Sequence, residues 1–172
     1  MMQHILAQAA PVDMLDAVYA LTEGNPFFVE EILKALISAG GIILVDGTWQ
    51  YVSRQVALHV PRSIQEMIRQ RIALLSRSSQ QVIKMASVLG RRFTFTLLQT
   101  LTGLDESALL GVVKELIAAQ FVVQESAEEF VFRHILMREA VYQELLVRER
   151  QRLHRTVAET IEQLATETHT SY

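Results

Sequence analysis

Leu21-Thr22-Glu23-Gly24-Asn25-Pro26-Phe27-Phe28-Val29-Glu30-Glu31 joins two helical patterns, and its reading decides how the first half of the chain folds. Apolar residues at 14, 15, 18 and 21 form one helical stripe over Val12 to Glu23. Those at 28, 29, 32, 33, 36 and 37 form another over Pro26 to Ala39. Gly24 suits the left-handed position just past a helix, because it has no Cβ to clash there. Pro26 suits a first helical position, where the missing N–H has no intrahelical partner to lose. The stretch therefore predicts a rigid, sharp helix–helix corner with bare backbone, against which a flat ligand can lie. A simple interhelical turn has the same local sequence.

Outward from the corner, Gly40-Gly41 stops the second helix. Ile42-Ile43-Leu44-Val45 and Thr48 to Val52 then flank Asp46-Gly47, a pair suited to a type I′ turn, so a β-hairpin is predicted over 42–53. A lone hairpin needs helices to cover it, and Trp49 and Tyr51, on one strand face, are read as its packing surface. After Pro61, Ser63 to Leu75 is helical, with Ile64, Met67, Ile68, Ile72 and Leu75 on one face. Residues 1–75 thus form a small helical bundle with a hairpin. In the next unit, 76–147, helices over Ser79 to Leu89, Phe95 to Thr102 and Asp105 to Gln120 precede two strand-like runs, Phe121 to Gln124 and Glu129 to Arg133. Three helices followed by a β-hairpin are the order of a winged helix. His134 to Leu145 is a closing helix. Residues 148–172 form a last amphipathic helix whose stripe, Leu153, Val157, Ile161 and Leu164, asks for a neighbour. The fold class is mostly α.

Half of the 172 residues are apolar and a fifth are charged, a globular composition. A net charge of −3 gives no basic field of the kind nucleic-acid binders carry. There is no cysteine, hence no thiolate chemistry, and the five histidines lack metal-ligand spacing. Runs such as Leu33 to Val45 are too short and interrupted to cross a bilayer. Met1 to Pro11 has no basic leader region, so the chain reads as cytoplasmic.

The corner, together with Val60-Pro61-Arg62-Ser63-Ile64, Arg71-Ile72-Ala73-Leu74-Leu75 and Phe132-Arg133-His134-Ile135-Leu136-Met137-Arg138-Glu139-Ala140-Val141-Tyr142, resembles the C-terminal part of the nucleotide-binding module of STAND-type signalling ATPases. These are a branch of the AAA+ class, and the likeness, from about residue 12 to 165, is to the multidomain bacterial regulators. The resemblance implies a lid bundle followed by a winged helix. It implies that Pro26 packs on the adenine of bound ATP or ADP, with Gly24 and Asn25 keeping the backbone close to the ring. It implies that His134 reaches the β-phosphate of ADP and locks a closed state. Arg71, on the last helix of the first unit, stands where relatives place a phosphate-sensing arginine.

Such ATPases carry a phosphate-cradling Gly-x-x-x-x-Gly-Lys-Ser/Thr loop and an acidic Mg²⁺-binding strand ahead of the corner. Residues 1–23 contain no glycine. The chain is therefore expected to be the sensor half of a larger protein: not an enzyme, without catalytic or metal-binding residues, and binding no nucleotide tightly alone. Its expected partners are an upstream phosphate-loop domain and a downstream helical-repeat domain of the same polypeptide, with homo-oligomers on activation and no membrane.

Simpler roles stand beside these. His134 also reads as a helix cap or core histidine, and Arg71 as a surface residue or a partner of Glu66. Glu30 and Glu31 favour the dipole of their helix start. Arg133 alternates outward. The rival reading is a free-standing winged-helix DNA-binding regulator. Its recognition helix would be Asp105 to Gln120, which has few of the side chains that meet phosphates and base edges. A third is a purely structural adaptor.

Overall fold

The computed structural model describes residues 12–46, 48–52 and 60–170. The expectation about a leader, made on Met1 to Pro11, lies outside them, as do the side chains of Trp49 and Tyr51. Two compact units divide between Glu66 and Met67, inside a helix and ahead of the boundary expected at 75. Mostly helical architecture with small antiparallel sheets is what the described residues show.

The first unit contains α1 (Val12–Thr22), α2 (Pro26–Ser38), β1 (Ile42–Val45), β2 (Thr48–Tyr51) and the start of α3 (Arg62–Ala73). Phe28, Ile32, Leu33 and Leu36 of α2 are buried, as are Met14 and Val18 of α1. Each such side chain is worth about 1.5–3 kcal/mol of hydrophobic stabilisation. The predicted stripe of α1 is narrower than expected, since Leu15 is 40% exposed. Buried Thr22 satisfies its hydroxyl by donating to the Val18 carbonyl at 2.7 Å. In the hairpin, Val45 pairs with Thr48 and Ile42 with Tyr51, the register expected for a two-residue connection. Asp46 takes φ 48°, the left-handed value a type I′ turn needs.

The second unit follows a helix–strand–helix–helix–hairpin order: α4 (Arg77–Leu89), β3 (Arg92–Thr94), α5 (Phe95–Thr102), α6 (Glu106–Ala118), β4 (Val122–Gln124) and β5 (Glu129–Phe132). The strands are ordered β3-β5-β4, all antiparallel, which is the winged-helix sheet. Ser76 caps α4 and Asp105 caps α6 by accepting the Ser79 and Ala108 N–H groups at 3.2 and 2.9 Å. α7 (Ile135–Glu144) and α8 (Val147–Thr170) complete the unit.

Helix α4 is the hub and touches α5, α6, α7 and α8, so Ile83 and Ala86 are fully enclosed. Phe93 of β3 stacks on Phe130 at a centroid distance of 6.1 Å and meets Phe132 edge-on at 5.9 Å. α8 lies against α4 and α5, which half-buries Leu153 and Val157 and leaves Ile161 exposed. Part of the stripe that asked for a neighbour thus finds one within the unit.

Candidate functional site

At the corner, Glu23 and Gly24 are both left-handed, with φ 51° and 75°. Two such residues in succession reverse the chain within one turn, and a non-glycine held there stores strain of the kind concentrated at functional sites. A Cβ at Gly24 would stand 3.4 Å from Cε2 of Tyr19 in a backbone conformation that L side chains avoid. Asn25 fixes the exit: its Oδ1 accepts the N–H groups of Phe27 and Phe28 at 3.1 and 3.4 Å. Pro26 opens α2 in the position its ring favours.

The corner presents apolar surface. Gly24 and Pro26 are exposed, Tyr19 is 67% exposed and Phe27 44%. Leu15, one turn before Tyr19, is exposed as well. The Tyr19 ring lies over Gly24, and its outer face and the exposed Pro26 are surfaces on which a flat heterocycle can stack. Tyr19 was missed by the sequence reading. The signal was available, because an aromatic one helical turn ahead of Glu23 lies over the last turn of α1. Asn25, expected to keep the backbone near a ligand, has its side-chain oxygen engaged in the cap and acts on the corner's shape.

Glu30 and Glu31 lie beyond the first turn of α2, not at the helix start. Both pair with Lys34 at 2.9 Å. Glu31 also receives the Ser63 hydroxyl, and that bond, then Lys34, holds its carboxyl below the usual range.

In the second unit, His134 is the N-cap residue of α7 with extended backbone (φ −140°, ψ 141°). Its carbonyl starts the helix by accepting the Met137 and Arg138 N–H groups at 3.0 and 3.3 Å. Its half-buried side chain makes no capping hydrogen bond. The residue caps by its backbone alone. Arg133 is exposed, as expected.

Arg71 departs from its expected role. Its Nη2 donates to the Ala119 carbonyl at 2.5 Å, and its guanidinium lies 4.9 Å from the centroid of the Phe121 ring. Ala119 is the C-cap of α6, where the helix dipole favours a cation. Burial, and then the charge of Arg133, hold the guanidinium below its usual pKa. Arg71 is thus tied into the fold of its own unit, and the pairing weighed with Glu66 gives way to α6. Gly24, Asn25 and Pro26 belong to the first unit, Arg71 and His134 to the second.

The described residues contain no helix long and apolar enough to cross a membrane. No group of His, Cys, Asp or Glu among them is placed to hold a metal ion.

No protein-family model matches the chain, and no solved structure does. An uncharacterized protein of Rhizobium meliloti (strain 1021) is 25% identical over 155 residues. The match covers 88% of this chain, and the chain spans 14% of that relative's length.

Proposed function

We propose that the chain is the lid and winged-helix part of a larger STAND-type signalling ATPase, relaying nucleotide state to oligomerisation or output. The observation that carries this reading is the corner: two left-handed residues, a capped exit, the Tyr19 ring over Gly24, and exposed Pro26 and Phe27 at the start of the next helix. Adenine is flat and apolar on its faces, so such a surface suits it. On this reading the corner takes the base, and the phosphates are met elsewhere. In the second unit the half-buried His134 ring supplies an imidazole at a helix start, able to donate to a phosphate. Loss of that bond on nucleotide exchange would release the winged helix, a rigid-body switch. A relative many times longer than this chain supports a segment that works with neighbouring domains.

The rival reading fares worse on the observed surface. The outward face of α6 presents Glu106, Ser107, Ala108, Leu110, Gly111, Lys114 and Ala118. One lysine among small and acidic residues is a poor reader of base edges.

The reading frame upstream of Met1 is the direct test. A phosphate loop and acidic strand encoded there support the proposal, and a frame without them overturns it.

A further inference from the structure

The winged-helix unit carries two surface patches of opposite character. The first is a groove of about 180 Å³ between α6 and the β4–β5 hairpin, lined by Leu110, Val113, Ile117 and Phe130 and edged by Glu106 and Glu128. Asp105 lies beside it, and the hairpin adds Glu125 and Glu129. The opposing cations are Lys114 on the groove's lip and Arg92, which is paired with Glu125. In DNA-binding winged helices this face meets phosphates; here it is apolar with an acidic rim.

The second patch is the start of α8. Leu146 and Val147 are 71% and 65% exposed, and Arg148, Arg152 and Arg155 follow them on the surface. Among the described residues no ion pair or side-chain hydrogen bond engages these three guanidiniums. Arg148, in the first turn, is also badly placed for helix stability. Cations at a helix start oppose its dipole, and Arg148 and Arg152 are like charges one turn apart. Glu149 alone offsets them in the first turn.

We infer that the two patches bind each other between copies of this chain. Leu146 and Val147 of one copy enter the groove of the next, and Arg148 and Arg152 meet Glu106 and Glu128 at its rim. Charge selects a second copy as the occupant, because the basic, apolar-tipped segment that an acidic apolar groove requires is present on the same molecule. The patches share no residue, so the contact is heterologous and adds copies head to tail. Exposed charges are screened by salt, so the association weakens as ionic strength rises. The inference rests on the second unit alone and stands whether or not nucleotide is bound elsewhere.

Sedimentation velocity on the whole chain, over a range of concentrations at low and high salt, tests it with two charge-swapped variants. One is Glu106→Arg with Leu110→Arg; the other is Arg148→Glu with Arg152→Glu. The wild type should associate with concentration, less so in high salt. Each variant alone should stay monomeric, and an equimolar mixture should associate again. A third variant, Leu146→Ser with Val147→Ser at positions already facing solvent, should be monomeric with its charge unchanged and its circular-dichroism melt intact. A mixture that stays monomeric while each variant melts like the wild type would overturn the inference. So would a wild type that remains monomeric throughout, including one whose groove binds a basic peptide of another sequence.

Discussion

The Glu115 carboxylate of α6 accepts the backbone N–H of Ser76 at 2.7 Å, so one helix caps the start of another. It also accepts the Ser76 hydroxyl at 2.7 Å and the buried Ser79 hydroxyl at 2.5 Å. The Ser79 bond first, then the two from Ser76, hold the carboxyl below its usual range. A depressed folded-state pKa gives stability that is present above the unfolded value, near 4.3, and is lost as pH falls through the folded value. Urea midpoints measured against pH should therefore drop more steeply in acid for the wild type than for Glu115→Gln. At neutral pH, Glu115→Ala should cost about 2 kcal/mol, since hydrogen bonds to a charged group are lost. Parallel pH profiles would show that the interaction contributes nothing.

Arg71 gives a prediction of opposite kind to the resemblance. Arg71→Ala removes a charge-assisted bond to Ala119 and the stacking on Phe121, and should destabilise the second unit by about 2–3 kcal/mol. Arg71→Lys should recover less than half, because an ammonium lacks the planar face. Calorimetric melts check both. A melt unchanged in Arg71→Ala would return the residue to the list of ligand-facing groups.

Two alanine substitutions should act with opposite sign. Gly24→Ala forces a Cβ into a left-handed residue and should cost about 1–2 kcal/mol. Gly111 sits inside α6 with nothing within 4 Å of an added Cβ, so Gly111→Ala should stabilise by about 0.5–1 kcal/mol. Thermal melts of the two variants decide both, and the same sign for both would refute the account of the corner.

DNA binding by this chain should be weak and nonspecific, because the α6 face offers one lysine and the hairpin carries Glu125, Glu128 and Glu129, so few counterions are released. Fluorescence anisotropy at physiological salt checks it. A sequence-specific complex of nanomolar strength would favour the rival reading.

Local chemistry was legible where one side chain decides the backbone. Gly24 and Pro26 announced the corner, and Asp46-Gly47 the hairpin. Helices with a full apolar stripe, such as α2, were also readable. Strand β3 was not, because three residues with only Phe93 buried offer no alternation. The target of Arg71 lies 48 residues along the chain and that of Glu115 lies 39 and 36 away, so no local pattern encodes either. Leu15 followed the helical period and still faces solvent, since periodicity marks a face without saying what covers it.

The most direct test of the nucleotide-responsive reading is ADP affinity in the polypeptide that carries this segment behind its phosphate-loop domain. Titration calorimetry should be run on the wild type, Pro26→Ala and His134→Ala, each alongside a thermal melt. If the imidazole donates to a phosphate, His134→Ala removes about 1.5–3 kcal/mol of binding, roughly a tenfold to hundredfold loss of affinity. The winged helix should still fold cooperatively without nucleotide, because the His134 side chain makes no cap to α7 and the apolar residues that follow it are intact. Unchanged ADP affinity in both variants, with a lowered melt, would contradict the account and leave the corner and His134 as parts of the fold alone.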